Sequence, residues 1–239
     1  MLRLELPRRA YSRLRILFLG AHADDIEIGC GGTIQSLLDR PGAAEIEWVV
    51  FSGVPARALE ARRSARALAR DARTLRVSTK RFRDGFFPSQ IARIKQEFET
   101  IKRRHAPDLI FCPWRGDAHQ DHRLLGELTW NTFRDHLILE YEIPKYDGDL
   151  ASPNLYVPLT REACRAKLAH LRRWFPSQAD NQWFTDETFW GLLRLRGVEC
   201  NSPTGYAEGF YCRKVSIDPA AAASRRAGGK TRAGRPDTL

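Results

Sequence analysis

The sequence predicts an α/β fold of three layers, with helices covering both faces of a mostly parallel sheet. Two observations carry this. Short apolar runs at residues 14–19, 46–51 and 109–112 alternate with segments of helical periodicity. Two clusters rich in aspartate, histidine and glycine directly follow the first and third of those runs. Strands alternating with helices imply right-handed crossovers and a sheet buried on both sides. In such folds a ligand site lies beyond the carboxyl ends of the strands, where both clusters would sit.

The elements follow in order. Residues 14–19 read as a central strand ending at Gly20, and residues 29–40 as a helix with a glycine-rich start, stopped by Pro41 and Gly42. Residues 46–51 form the second strand. The next helix shows a seam of Ala58, Ala61, Ala65, Leu68, Ala72 and Leu75, at spacings of three and four, with arginines 57, 62, 63, 66, 70, 73 and 76 on its solvated faces. Residues 81–85 read as a short strand or turn. Residues 89–104 form a helix with Ile91, Ile94, Phe98 and Ile101 on one face, and residues 109–112 a strand aimed at the second cluster. A helix at 122–134, strands at 137–143 and 154–159, helices at 160–174 and 186–195, and a strand at 206–215 complete one domain over residues 1–217. From residue 218 the composition of Ala, Gly, Arg and Pro, without apolar period, predicts a disordered basic tail.

Composition narrows the class. A chain of 239 residues with 43% hydrophobic content can bury one sizeable core. No apolar stretch approaches the roughly 18 residues needed to span a bilayer, and the N-terminus lacks the apolar centre of a secretory signal. Five scattered cysteines without a C-x-x-C pair predict reduced thiols and a cytoplasmic location. The net charge is +10, and only seven of the 39 basic residues are lysine. Most of this charge reads as solvated surface. Part of it suits an anionic small-molecule or glycan substrate, and no nucleic-acid-binding motif accompanies it.

The clusters carry the chemistry. The first is Ala21-His22-Ala23-Asp24-Asp25-Ile26-Glu27-Ile28-Gly29, and the second Gly116-Asp117-Ala118-His119-Gln120-Asp121-His122. A catalytic zinc usually takes three protein ligands and leaves one position open. His22, Asp25 and His122 supply two imidazoles and a carboxylate, a set that suits Zn2+ and can also hold Fe2+. A cation of this kind lowers the pKa of a water bound to it from about 15.7 to about 7. Asp24, next to a ligand, is then the candidate general base. A protonated His119 could stabilise an oxyanion and later protonate a leaving amine, and Asp121 could fix an imidazole tautomer. Against this, Asp24, Asp25 and Asp121 could simply cap helices. The glycines lack the G-x-G-x-x-G spacing of dinucleotide binding.

These residues resemble the A-H-P-D-D-E and H-x-D-H signatures of the PIG-L/LmbE family of zinc-dependent N-deacetylases. Residues 82–85, Ser177-Gln178 and residues 207–211 are similar too, so the resemblance spans roughly residues 14–215. It implies a Rossmann-like fold and hydrolysis of an N-acetyl group on an amino-sugar-containing glycan, glycolipid, nucleotide-sugar or glycosylated metabolite. By position, His22, Asp25 and His122 match the metal ligands, Asp24 the base, His119 the oxyanion-stabilising histidine and Asp121 the carboxylate that tunes it. Ala23 replaces the signature proline, and Ile26 stands where its glutamate is, with Glu27 following. Arg57 (with Glu60 three residues on), Asp84 and Glu208 are candidate substrate contacts. Two other readings stand beside this one. A two-metal phosphoesterase would recruit Asp117, Glu140 or Glu142 as further ligands. A non-catalytic module would use only the basic surface to bind anions.

Overall fold

In a computed structural model, the structure describes residues 3–4, 14–39 and 44–216. The predicted helix stop at residues 41–42 and the predicted tail lie outside the described residues.

Seven strands form one sheet in the order β3-β2-β1-β4-β5-β7-β6. They are β1 (Leu14–Gly20), β2 (Ala44–Ser52), β3 (Thr74–Phe82), β4 (Leu109–Pro113), β5 (Leu137–Tyr141), β6 (Leu155–Pro158) and β7 (Ala207–Cys212). β1 to β5 are mutually parallel, and β7 inserts antiparallel between β5 and β6. The helices are α1 (Asp25–Leu37), α2 (Pro55–Leu68), α3 (Ile91–Arg104), α4 (Gln120–Thr132), α5 (Arg161–Trp174) and α6 (Asp186–Glu199).

Alternation along the strands builds two cores. On β1, Leu14, Ile16 and Phe18 join the core under α1, α2, α5 and α6, whereas Leu17 and Leu19 join the core under α3 and α4. A strand buried on both faces reads as a continuous apolar run, which is why β1, β2 and β4 are visible in the sequence.

Two elements differ from the sequence reading. The helical seam breaks after Leu68, and Leu75 lies in β3, an edge strand whose residues are mostly half-exposed. α1 begins at Asp25 rather than at Gly29, with Ile26 and Ile28 already in the core. It is kinked at Cys30, whose backbone leaves the helical region (φ −143°, ψ 20°). The glycines around the kink are there for contact: a Cβ at Gly29 would sit 2.2 Å from the Tyr141 ring, and one at Gly32 would sit 2.4 Å from Leu159.

The chain order reverses beside β1. From β1 it winds outward through β2 and β3, then returns to β4 on the other side of β1. The crevice between the carboxyl ends of β1 and β4 is therefore the switch point where such sheets bind ligands. The loops at residues 20–25 and 114–120 both open into it.

Candidate active site

The loop after β1 is locked by its own residues. The backbone N–H of His22 donates to Asp25 Oδ2 at 2.8 Å, so the turn leading into α1 presents His22 and Asp25 to the same side. The loop after β4 ends at the α4 N-terminus. There His119 is the N-cap, its Nδ1 accepting the Asp121 N–H at 3.2 Å.

Three predicted ligands meet where the two loops join. His22 Nδ1 lies 3.0 Å from His122 Nε2, Asp25 Oδ2 lies 3.4 Å from His122 Nε2, and Asp25 Oδ1 lies 3.6 Å from His22 Nδ1. Ligand bonds of about 2.0–2.1 Å on a tetrahedral zinc put neighbouring donors about 3.3 Å apart, so these spacings fit one cation. Charge points the same way. Burial opposes a charged imidazole at His22 and His122, yet Asp25 and the neighbouring aspartates outweigh it. His22 is held well above the ordinary histidine value and His122 at about 9. Asp25 is also buried, and the two imidazoles pull it well below the usual carboxylate range. The pocket thus favours positive charge where the two nitrogens converge. A divalent cation satisfies that preference while both imidazoles stay neutral.

Each imidazole is backed by a carboxylate. His122 Nδ1 lies 3.0 Å from Asp117 Oδ2, which leaves Nε2 to face the cluster. His22 Nε2 faces Asp84 Oδ1 at 3.0 Å and Asp121 Oδ2 at 3.4 Å. Carboxylates in these positions fix ring orientation and raise ligand basicity. Asp121 also accepts the backbone N–H groups of Gly85 (2.6 Å) and Phe87 (3.0 Å), fastening the loop after β3 to the site. Its side chain therefore acts on His22 and that loop, and only its backbone reaches His119. A nitrogen of His119 lies within 4.8 Å of those of His22 and His122, so His119 borders the centre directly.

Asp24 occupies the N-cap position of α1 but makes no side-chain cap bond. Its Oδ1 instead accepts from Arg57 Nη2 at 2.6 Å, and its buried Oδ2 has no partner. Burial pushes the Asp24 carboxyl up, and Arg57 opposes the rise. Arg57, Arg81, Arg83 and Asp84 line a cleft of about 460 Å3 that opens onto His22. Arg83 stacks 3.7 Å over the ring of Phe86. Arg57 and Asp84, two of the candidate substrate contacts, are thus in the cleft.

Glu208 is not. It is buried on β7 and accepts the N–H groups of Gly32 (2.9 Å) and Thr33 (2.7 Å), freed by the kink in α1, together with Lys167 Nζ (2.6 Å). Its carboxylate caps the second half of α1 and is unavailable to a substrate. The carboxylates proposed for a second metal are likewise engaged. Asp117 is shared between His122 and Lys145, Glu140 pairs with Arg115 and the Trp130 indole, and Glu142 with Arg196. Glu27 is buried on α1 and bonded by Ser64, whose hydroxyl also meets His170 Nε2 at 2.8 Å. Sequence reasoning gave no role to Arg81, Arg83 or Lys145. The signal for the first two was their position beside Asp84-Gly85; Lys145 carried none.

Residues 17–133, which contain both clusters, match the family described as PIG-L: GlcNAc-PI de-N-acetylase. The chain carries a PIG-L family domain. Solved structures share its fold. N,N'-diacetylchitobiose deacetylase from Pyrococcus horikoshii is 22% identical with a TM-score of 0.64, over 83% of each chain. The zinc-inhibited form of teicoplanin deacetylase Orf2 is 13% identical with a TM-score of 0.65, over 85% of this chain and 99% of that one. GalB, the 4-carboxy-2-hydroxymuconate hydratase from Pseudomonas putida KT2440, is 16% identical with a TM-score of 0.67, over 86% and 99%. A hydratase among the PIG-L domain's fold neighbours means that the architecture alone does not choose the reaction. Among the described residues, no helix is long and apolar enough to cross a membrane.

Proposed function

We propose that this protein is a divalent-metal-dependent N-deacetylase that hydrolyses the N-acetyl group of an amino-sugar-containing substrate, releasing acetate and a free amine. One observation carries the reading. His22 Nδ1, His122 Nε2 and the Asp25 carboxylate converge at 3.0–3.6 Å, beside an aspartate with a buried, partnerless oxygen. His22, Asp25 and His122 would hold the ion, with Zn2+ the expected metal and Fe2+ compatible with the same donors. When bound, such an ion polarises the scissile carbonyl and brings the pKa of water to about 7.

The chain's own groups do the rest. Asp24 accepts a proton from the attacking water as the new C–O bond forms. Burial raises its carboxyl and so strengthens it as a base, while Arg57 opposes the rise and orients it. His119 donates to the developing oxyanion as a neutral imidazole. Burial pushes its pKa down, and Nδ1 accepts the Asp121 N–H, so the ring proton it donates sits on Nε2. The leaving nitrogen then takes its proton from Asp24 as the C–N bond breaks, returning the base to its starting state.

The substrate's character follows from the cleft. Arg81 and Arg83 line it together with Arg57, which favours an acceptor bearing a negative charge close to the amino sugar. The five free thiols suit a reducing compartment such as the cytoplasm. The test is to incubate zinc-loaded protein with N-acetylated sugars, nucleotide-sugars and glycolipids, reading acetate and primary amine with and without chelator. Chelator-sensitive amine release from one class supports the proposal; no release from any of them refutes it.

A further inference from the structure

Behind His122 lies an ionic chain that the hydrolytic steps leave unused. Lys145, in the segment between β5 and β6, has a side chain only 9% exposed. Its Nζ lies 2.9 Å from Asp117 Oδ1, 2.9 Å from Asp149 Oδ2 and 3.4 Å from the Ile143 carbonyl, so each of its three N–H groups has an acceptor. Asp149 Oδ2 also accepts the Ala118 N–H at 2.6 Å. The short segment 145–149 therefore grips the Asp117-Ala118 dipeptide twice, once by side chain and once by backbone.

The grip decides how Asp117 is used. Oδ1 takes Lys145 and the His119 N–H (2.8 Å), so only Oδ2 remains for His122 Nδ1 at 3.0 Å. A carboxylate held in this way accepts a hydrogen bond from Nδ1–H and leaves the Nε2 lone pair facing Asp25 and His22. Lys145 also balances a carboxylate that is buried beside the aspartates of the centre.

We propose that Lys145 is a positioning residue for the metal centre: it clamps Asp117, and Asp117 fixes His122 as the Nδ1–H tautomer with Nε2 presented to the cation. This rests on the His22–Asp25–His122 centre proposed above. A simple loop tether would use the same salt bridges but would change stability alone.

The experiment measures zinc affinity by chelator competition on the full chain for wild type, Lys145→Met and Lys145→Arg. Nitrogen-15 spectra of the zinc-loaded proteins report the His122 tautomer. Loss of a group that orients a metal-ligating histidine costs about 10–100-fold in affinity. Lys145→Met should bind zinc at least about tenfold more weakly and lose the uniform Nδ1–H signal, and Lys145→Arg should recover most of both. Should Lys145→Met fail to fold, Asp149→Ala removes the second anchor of Lys145 while leaving the Asp117 pair, and a weaker affinity is again expected. A folded Lys145→Met or Asp149→Ala protein with wild-type zinc affinity overturns the inference. Wild-type protein that binds no zinc overturns the metal centre itself, an outcome distinct from a Lys145 effect that fails to appear.

Discussion

Glu208→Gln separates a structural carboxylate from a substrate contact. Glu208 is 3% exposed and Lys167 4% exposed, and the pair stabilises the kinked middle of α1 through the Gly32 and Thr33 N–H groups. The substitution keeps shape but removes charge. One amide oxygen can still accept from Gly32 or Thr33, while the amide NH2 confronts Lys167 or the other N–H as a second donor. Removing one partner of a buried ion pair costs about 3–5 kcal/mol, because the remaining charge stays buried without compensation. In a domain of this size that lowers Tm by roughly 10 °C. Urea denaturation and thermal melts of wild type, Glu208→Gln and the double variant Glu208→Leu/Lys167→Met give the stability arm. The double variant should recover much of the loss, since apolar replacement of a buried pair is often neutral. Deacetylation kinetics on the folded protein give the functional arm, where KM should not move. An unchanged unfolding midpoint together with a raised KM would show that the carboxylate faces the substrate, and the capping assignment would be wrong.

Other outcomes follow from the same geometry. Asp24→Asn keeps an acceptor for Arg57 and should retain zinc while kcat falls about 10²–10⁴-fold, as measured by acetate release and metal analysis. His119→Ala removes the oxyanion donor and should cost about 10²–10³-fold in kcat with zinc content intact; loss of zinc instead would make His119 a ligand. Zinc at 100 times its Kd should add about 2.7 kcal/mol to unfolding stability, and Asp25→Asn should abolish that response in thermal melts. His170 is pushed down to about 4 by burial, with Arg173 adding to the effect. The unfolded chain, near 6.5, therefore takes up its proton first as pH falls. This stabilising contribution is complete above about pH 6.5 and is lost on acidification toward pH 4, an effect of about 3 kcal/mol. Urea midpoints at pH 7.5 and 4.5 should show a steeper loss for wild type than for His170→Gln.

The legible parts of the fold were those whose signal is local. β1, β2 and β4 announced themselves as apolar runs because both faces of each are buried, and the two clusters followed β1 and β4 directly. Edge strand β3 hid inside the preceding helical seam. Ala72 and Leu75 continued the spacing of three and four by coincidence, and β3 has a single buried residue, Phe82. Gly29, Gly31 and Gly32 read as the start of a helix, whereas they lie in the middle of α1. Against the Tyr141 ring and Leu159, however, glycine is what lets α1 approach, and packing outweighed propensity. The antiparallel insertion of β7 had no local signal at all. The same division runs through the site. His22, Asp25, His122 and Asp24 lie within their motifs and could be read. The partners that set their geometry are remote in sequence: Asp121 on the loop at 85–87, Lys145 on Asp117, and Glu208 on α1.

The charge distribution supports the proposed cation site despite a chain of net charge +10. Around the converging nitrogens stand the side chains of Asp24, Asp25, Asp84, Asp117 and Asp121. Arg57 and Lys145 are the permanent cations that pair with this group among the described residues. Each pairs with a carboxylate behind the ligands, Asp24 or Asp117, rather than with Asp25 itself. The uncompensated negative charge is therefore concentrated on the face shared by Asp25, His22 and His122. Protonating both imidazoles would meet that field only by setting two like charges against each other across 3.0 Å. A divalent ion meets it with both rings neutral, and Arg81 and Arg83 of the cleft, which pair with none of these aspartates, can attract an anionic substrate toward it.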